Sequence, residues 1–186
     1  MTKREQLLQT TLELITELGF HATPMALIIE KSGVAAGTIY YYFKSKEELI
    51  DTLYSELKKE MGKALSQGIE NESNYKLKFW ILWKNIFNFY IQNPKKYEFL
   101  QQYAHSPLIK KEIKELNQIH FQVAIDYLNS GIKLGIIREM PIDLLLNLIF
   151  GNISTLVRMQ LSGEVTLNDE LLERAIQSSW DSIKTN

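Results

Sequence analysis

Apolar residues recur along the chain at spacings of three and four, and no stretch sustains the period-two alternation of a half-buried strand. Leu8, Thr11, Leu12, Ile15 and Leu18 make one helical stripe, stopped by Gly19 at a C′ position. Thr23 reads as an N-cap with Pro24 at the first helical position, opening a short helix to about Ser32. A turn at Gly33 leads to a second short helix, from about Ala35 to Phe43. Ser45 is placed to cap a long helix from Lys46 to about Gly68, with Leu49, Leu53, Leu57, Met61 and Leu65 on its inner face. After the polar stretch Glu70 to Asn74, residues 75–92 are apolar on nearly every side, as in a helix enclosed by others. A shorter helix over about 95–104 follows the break at Asn93-Pro94. Ser106 and Pro107 open a long helix to Leu134, Pro141 opens another ending at Gly163, and Thr166 or Asn168 caps a last one to about Lys184. The pattern predicts an all-α chain of about nine helices, divided into residues 1–48 and 49–186.

Composition narrows the function without naming it. With 45% hydrophobic and 23% charged residues, the 186-residue chain has the make-up of a soluble globular protein. A formal net charge of -1 is not that of a strongly basic nucleic-acid protein, so any such role must rest on local arrangement. The absence of cysteine removes disulfides, thiolate metal sites and cysteine nucleophiles together. No apolar run approaches the ~20 residues of a membrane span, and the start lacks the apolar stretch of a signal peptide. The expectation is a cytoplasmic protein with no membrane partner. Its three histidines, His21, His105 and His120, stand at no metal-ligand spacing, and no nucleophile–base pair is visible, so neither metal, cofactor nor catalysis is expected.

The informative stretch is Gly33-Val34-Ala35-Ala36-Gly37-Thr38-Ile39-Tyr40-Tyr41-Tyr42-Phe43, set between two short helices. Gly33 supplies the positive φ of a tight turn, and Val34 and Ile39 are spaced to pack inward. Such a pair is a helix-turn-helix, whose second helix fits a major groove. Its outward residues would be Ala36, Gly37, Thr38, Tyr40, Tyr41 and Tyr42. Small side chains let the backbone approach base edges, and a threonine methyl can meet a thymine methyl. Tyrosine hydroxyls reach phosphates, Lys46 adds a charged partner, and the amides that open its helix offer another phosphate site. Thr23 joins these as a candidate contact. Four consecutive aromatics span all sides of a helix, so Phe43 is expected in the core and at least two tyrosines outside.

Leu18-Gly19-Phe20, Thr23, Ile28, Gly33-Val34, Gly37-Thr38-Ile39-Tyr40, Tyr42-Phe43 and Lys46-Glu47-Glu48-Leu49 together resemble the N-terminal signature of the TetR family of bacterial repressors. The resemblance covers about residues 5–55. Farther on, it extends to the helical layout and to Gly135-Ile136-Ile137 before the Phe150-Gly151 helix. Three departures bear on the reading head. Ala26 and Leu27 stand where polar residues are common, so fewer phosphate contacts are expected from their helix. Ile29 stands where a small alanine is usual and adds volume between the paired helices. Ala35 replaces the usual serine N-cap. Residues 1–48 carry five Lys/Arg against six Asp/Glu, which predicts modest nonspecific affinity.

The resemblance implies a C-terminal effector-binding and dimerisation domain over 49–186. Ten of the twenty aromatic residues fall within 75–104, which suits an apolar or planar ligand. The expected pocket lining is Trp83, Phe87, Tyr90, Tyr103, Phe121 and Tyr127, with polar tips from Asn85, Gln102, His105, His120 or Gln122. The resemblance also implies that the last two helices meet their twofold mates, with Ile149, Ile153, Leu156, Ile176 and Trp180 at the interface. A homodimer is expected independently, because one short reading helix covers too few base pairs for specificity. The resulting expectation is a dimeric repressor that binds a palindromic double-stranded DNA operator and is released by a small-molecule effector. The alternative is a DNA-binding regulator with no small-molecule effector, its aromatic region a solid core or a protein-docking surface.

Overall fold

The computed structural model describes residues 1–104 and 106–185; His105, one of the expected polar tips, lies outside them together with Asn186. The helices are α1 (Lys3–Leu18), α2 (Met25–Ser32), α3 (Ala36–Tyr42), α4 (Lys46–Leu65) and α5 (Tyr75–Gln92), then α6 (Pro94–Ala104), α7 (Lys111–Asn117), α8 (Gln122–Lys133), α9 (Ile142–Leu161) and α10 (Asp169–Ile183). No strand occurs among the described residues; one antiparallel bridge, Ile137 to Lys184, pins the end of α10 to the α8–α9 loop. The chain is all-α, as the apolar spacing predicts.

Local chemistry accounts for several helix ends. Thr2 and Glu5 form a capping box at the start of α1, and Gly19, at φ 81°, ends it. Ser45 Oγ accepts from the Glu48 amide at the start of α4, and Asn168 Oδ1 from the Leu171 amide at the start of α10. Two expected starts are displaced. Pro24, not Thr23, occupies the N-cap of α2, and it has no side-chain cap bond. The expected helix from Pro107 to Leu134 is instead α7 and α8 joined by a 3-10 turn, Gln118–Phe121. At that turn the His120 backbone lies against Gly62 of α4, an approach that a Cβ on Gly62 would block.

The chain forms two compact units. The first comprises residues 1–59 and 93–117, where α1 packs on α2, α3 and α6. Its core holds Leu7, Ile15, Ile28, Ile39, Phe43 and Phe99. Tyr103 of α6 donates to Asp51 Oδ1 of α4 at 2.5 Å, and Lys95 pairs with Glu17 at 3.1 Å. Ile29 is half-buried, so its extra volume is not confined on every side.

The second unit comprises residues 60–92 and 118 onward, with α5 and α10 on α9 and α8 beside them. Tyr75 and Tyr127 stack at 4.3 Å, each hydroxyl donating to the other's backbone carbonyl. Gly131 makes room for this pair: a Cβ there would lie 2.5 Å from the Tyr75 hydroxyl. By length and mean hydropathy (1.4), α9 is apolar enough to cross a membrane, which corrects the expectation of no such segment. Asn147, Asn152, Ser154 and Thr155 break the run in sequence, so its apolar character shows on the helix surface rather than as an unbroken string. Leu145, Ile153 and Val157 face inward, while Leu144, Leu148, Gly151 and Thr155 line the opposite, exposed side.

Candidate nucleic-acid interface and effector cavity

The reading head is built from the turn upward. Gly33 adopts the left-handed conformation, φ 64° and ψ 14°, and Ser32 Oγ accepts from the Val34 amide on its far side. Val34 and Ile39 are buried, which fixes how α3 lies on α1. The side of α3 away from this core carries Ala36, Gly37, Tyr40, Tyr41 and Tyr42, all exposed, with Thr38 half-buried. Tyr41 reaches 83% exposure and meets Tyr42 edge to face at 5.2 Å. Phe43 is core, as expected. Ala35 supplies no cap bond to α3.

Two expected contacts are reassigned. Thr23 is 0% exposed, and its hydroxyl donates to the Gly19 carbonyl at 2.8 Å, so its side chain braces the α1–α2 loop and is closed to DNA. Lys46 is half-buried and one ammonium N–H is held by the Phe20 carbonyl, which ties α4 to the same loop. The start of α4 is poorly suited to a phosphate: its first turn holds Glu47 and Glu48, and the Glu48 carboxylate accepts from the Lys44 amide at 2.7 Å. Hydrogen bonding to the amide of its own residue and to Ser45 holds the Glu47 carboxyl below the usual range. The cation beside α3 is Lys44, exposed in the α3–α4 turn, a residue that sequence reading passed over although it directly follows Phe43. Arg4, by contrast, pairs with Glu56 at 3.0 Å.

The expected pocket residues divide. Trp83 and Tyr127 border a cavity of about 30 Å³ in the second unit, with Leu65 from α4, Phe79 and Leu82 from α5, and Leu146, Ile149 and Phe150 from α9. Phe87 stacks on Trp83 at 5.5 Å, and Phe121 meets Phe150 edge to face at 6.0 Å; both are buried packing around the cavity rather than lining. Tyr90 is likewise buried without lining it. Tyr103 is held in the first unit by Asp51, and burial and then that carboxylate raise its phenol's pKa. None of the described polar tips lines the cavity. Asn85 donates to the Leu65 and Gln67 carbonyls that end α4, Gln122 bonds Asp126, Gln102 is exposed and His120 lies in the 3-10 turn. Among the described residues, the buried side-chain polar atom without a hydrogen-bond partner is Trp83 Nε1. Beside the cavity lies an open cleft of about 350 Å³, which shares Leu82 and Tyr127 with it and carries Glu72, Lys78 and Asp126.

The expected dimer residues also shift. Ile153, Ile176 and Trp180 are buried within the subunit, Trp180 against Phe79 at 5.3 Å, so they are core. Ile149 and Leu156 are half-buried, Ile149 on the cavity. On these two helices the uncovered large apolar residues are Leu144, Leu148 and Leu161 of α9, at 46%, 39% and 42% exposure, and Leu171 of α10.

A braced turn presenting a small, tyrosine-rich helix, followed by a helical unit with a partly open apolar cavity, is the layout of a helix-turn-helix transcriptional regulator. The chain belongs to the TetR family. Residues 7–53 match the model described as bacterial regulatory proteins, tetR family, and residues 75–184 match the tetracyclin repressor-like C-terminal domain. The chain is similar to an HTH-type transcriptional regulator of Haemophilus influenzae, 27% identical over 97% of this chain and 95% of that one. It is similar also to the fatty acid metabolism regulator protein of Bacillus subtilis, 26% identical over 92% of each. A putative tetR family transcription regulator from Shewanella matches over the full length of both chains, with TM-score 0.93 and 25% identity. The regulator FadR of Bacillus subtilis, solved with stearoyl-CoA, shares the fold with TM-score 0.73 and 22% identity over 95% of each chain.

Proposed function

We propose that the protein is a dimeric repressor that binds a palindromic operator through α3 and leaves it when a small apolar effector occupies the second unit. The observation that carries the DNA half is the outward face of α3, small at Ala36 and Gly37 and tyrosine-rich at Tyr40 to Tyr42, held on a buried Val34–Ile39 base. In this reading the small residues lie against base edges, while Tyr41, Tyr42 and Lys44 hold phosphates. Lys46 acts mainly through the loop it braces. A second copy covers the Leu144–Leu148 stripe of α9, so that two heads read half-sites about one helical turn apart.

The effector half rests on the apolar cavity and on the similarity to a regulator whose name refers to fatty acid metabolism. The last residue of α4, Leu65, borders the cavity, and Gly62 of the same helix abuts the 3-10 turn. An effector that enlarges the cavity pushes on the end of α4, the helix that follows the reading head. It shifts the equilibrium only if it binds the displaced state more tightly than the operator-bound one. The cavity's small volume favours the second reading, a regulator whose aromatic region is solid core.

Fluorescence anisotropy on labelled DNA from beside the protein's own gene tests the DNA half. Wild type should bind a palindromic segment with strong salt dependence, and Tyr41→Ala and Lys44→Ala should each weaken binding about tenfold without lowering Tm. Binding that ignores both changes would remove α3 and its turn from the interface.

A further inference from the structure

The cavity in the second unit is lined almost wholly by carbon. Its lining side chains carry two polar atoms, the Tyr127 hydroxyl and Trp83 Nε1. The hydroxyl already donates to the Tyr75 carbonyl at 3.0 Å. The indole N–H, on a residue 1% exposed, has no partner. Buried donors are rarely left in this state, because their lost hydration is not replaced.

A water molecule is a poor remedy. The cavity's volume of about 30 Å³ is large enough for one, but buried waters usually make about three hydrogen bonds. Among the lining side chains, only the indole N–H and the Tyr127 oxygen could serve a water. An organic acceptor needs only one donor, and its carbon body gains from the same apolar walls that a water cannot use. A carboxylate is disfavoured, since no cationic side chain lines the cavity and the charge would be buried unpaired.

We infer that the effector is a neutral, largely apolar molecule bearing a hydrogen-bond acceptor such as a carbonyl oxygen, and that Trp83 Nε1–H is the donor that anchors it. This rests on the effector reading above and names its ligand class. Entry requires room beyond the present cavity. Leu146, Ile149 and Phe150 of α9 are the half-buried lining residues that can yield it.

The test uses matched pairs differing by one carbonyl: acetophenone with ethylbenzene, and benzophenone with diphenylmethane. Affinities are measured on the full chain by titration, and the three indole N–H resonances are followed by NMR. The Trp83 resonance is assigned by elimination in Trp80→Phe and Trp180→Phe, so the assignment does not depend on how Trp83→Phe folds. The ketone of at least one pair should bind about tenfold tighter than its hydrocarbon and move the Trp83 indole proton downfield. In Trp83→Phe, with its helical content checked by circular dichroism, the preference should fall to about twofold or less. Equal affinities within both pairs, an unmoved Trp83 resonance, or no binding by any member would overturn the inference. A ketone that binds through Trp83 yet leaves operator affinity unchanged would instead overturn effector-controlled release and leave the anchor standing.

Discussion

Gly62 sits at the start of the last turn of α4, and within a helix glycine costs up to about 1 kcal/mol relative to alanine. Its presence is explained by the 3-10 turn, whose His120 carbonyl and Cβ occupy the space a side chain would need. Because the obstacle includes backbone, Gly62→Ala should destabilise the protein by about 1–3 kcal/mol through overpacking, despite the better helix propensity. Urea denaturation checks this, and a gain in stability would show that the turn yields freely. Gly131 follows the same logic beneath the Tyr75–Tyr127 pair. Neither position is legible from spacing, since a helical glycine means nothing until its neighbour is known. Trp83 shows the same limit. Its burial follows from an apolar stretch, but the missing partner of its indole emerges only when every surrounding atom has a position.

Among the helices, α3 and α7 are the shortest, and α3 has little of its own to hold it. It has seven residues, its N-cap is Ala35 with no side-chain bond, and Ile39 is its only residue buried among those described. Its stability is borrowed from Val34, Ile39 and Phe43 in the core of the first unit. Ala35→Ser should therefore restore the missing cap and raise stability by about 1 kcal/mol, read as an upward shift in Tm. No shift would mean that the Ala35 backbone, at φ -57° and ψ 141°, does not orient a hydroxyl toward the first turn. The helices themselves were largely readable from sequence, because periodicity and caps are local. The break between α7 and α8 was not, because Asn117 turns inward to donate to Ser55 Oγ at 3.0 Å, a partner 62 positions away. Thr23 misled for a related reason. Threonine before proline looks like a cap, but the α1–α2 loop brings the Gly19 carbonyl within reach of its hydroxyl.

The two sides of α9 meet different demands. One side closes the second unit's core and cavity, while Leu144, Leu148, Gly151 and Thr155 present a stripe with nothing upon it. If a second copy covers that stripe, Leu148→Glu should yield a monomer by light scattering. Operator affinity should drop by about a hundredfold or more, with the helical spectrum unchanged. A dimer that survives this change would place the interface elsewhere. The chain's own pattern established an all-α protein, the helix-turn-helix, the inward turn of Val34, Ile39 and Phe43, and the outward tyrosines. Each of these follows from spacing within a few residues, where backbone geometry leaves little choice. Which aromatics line the cavity, which face of α9 remains uncovered, that Thr23 and Tyr103 serve the core, and that Trp83 keeps an unanswered donor depend on contacts between distant segments. Helical periodicity states which residues share a side, but not which of two apolar sides another helix will cover. Packing against the rest of the chain makes that choice.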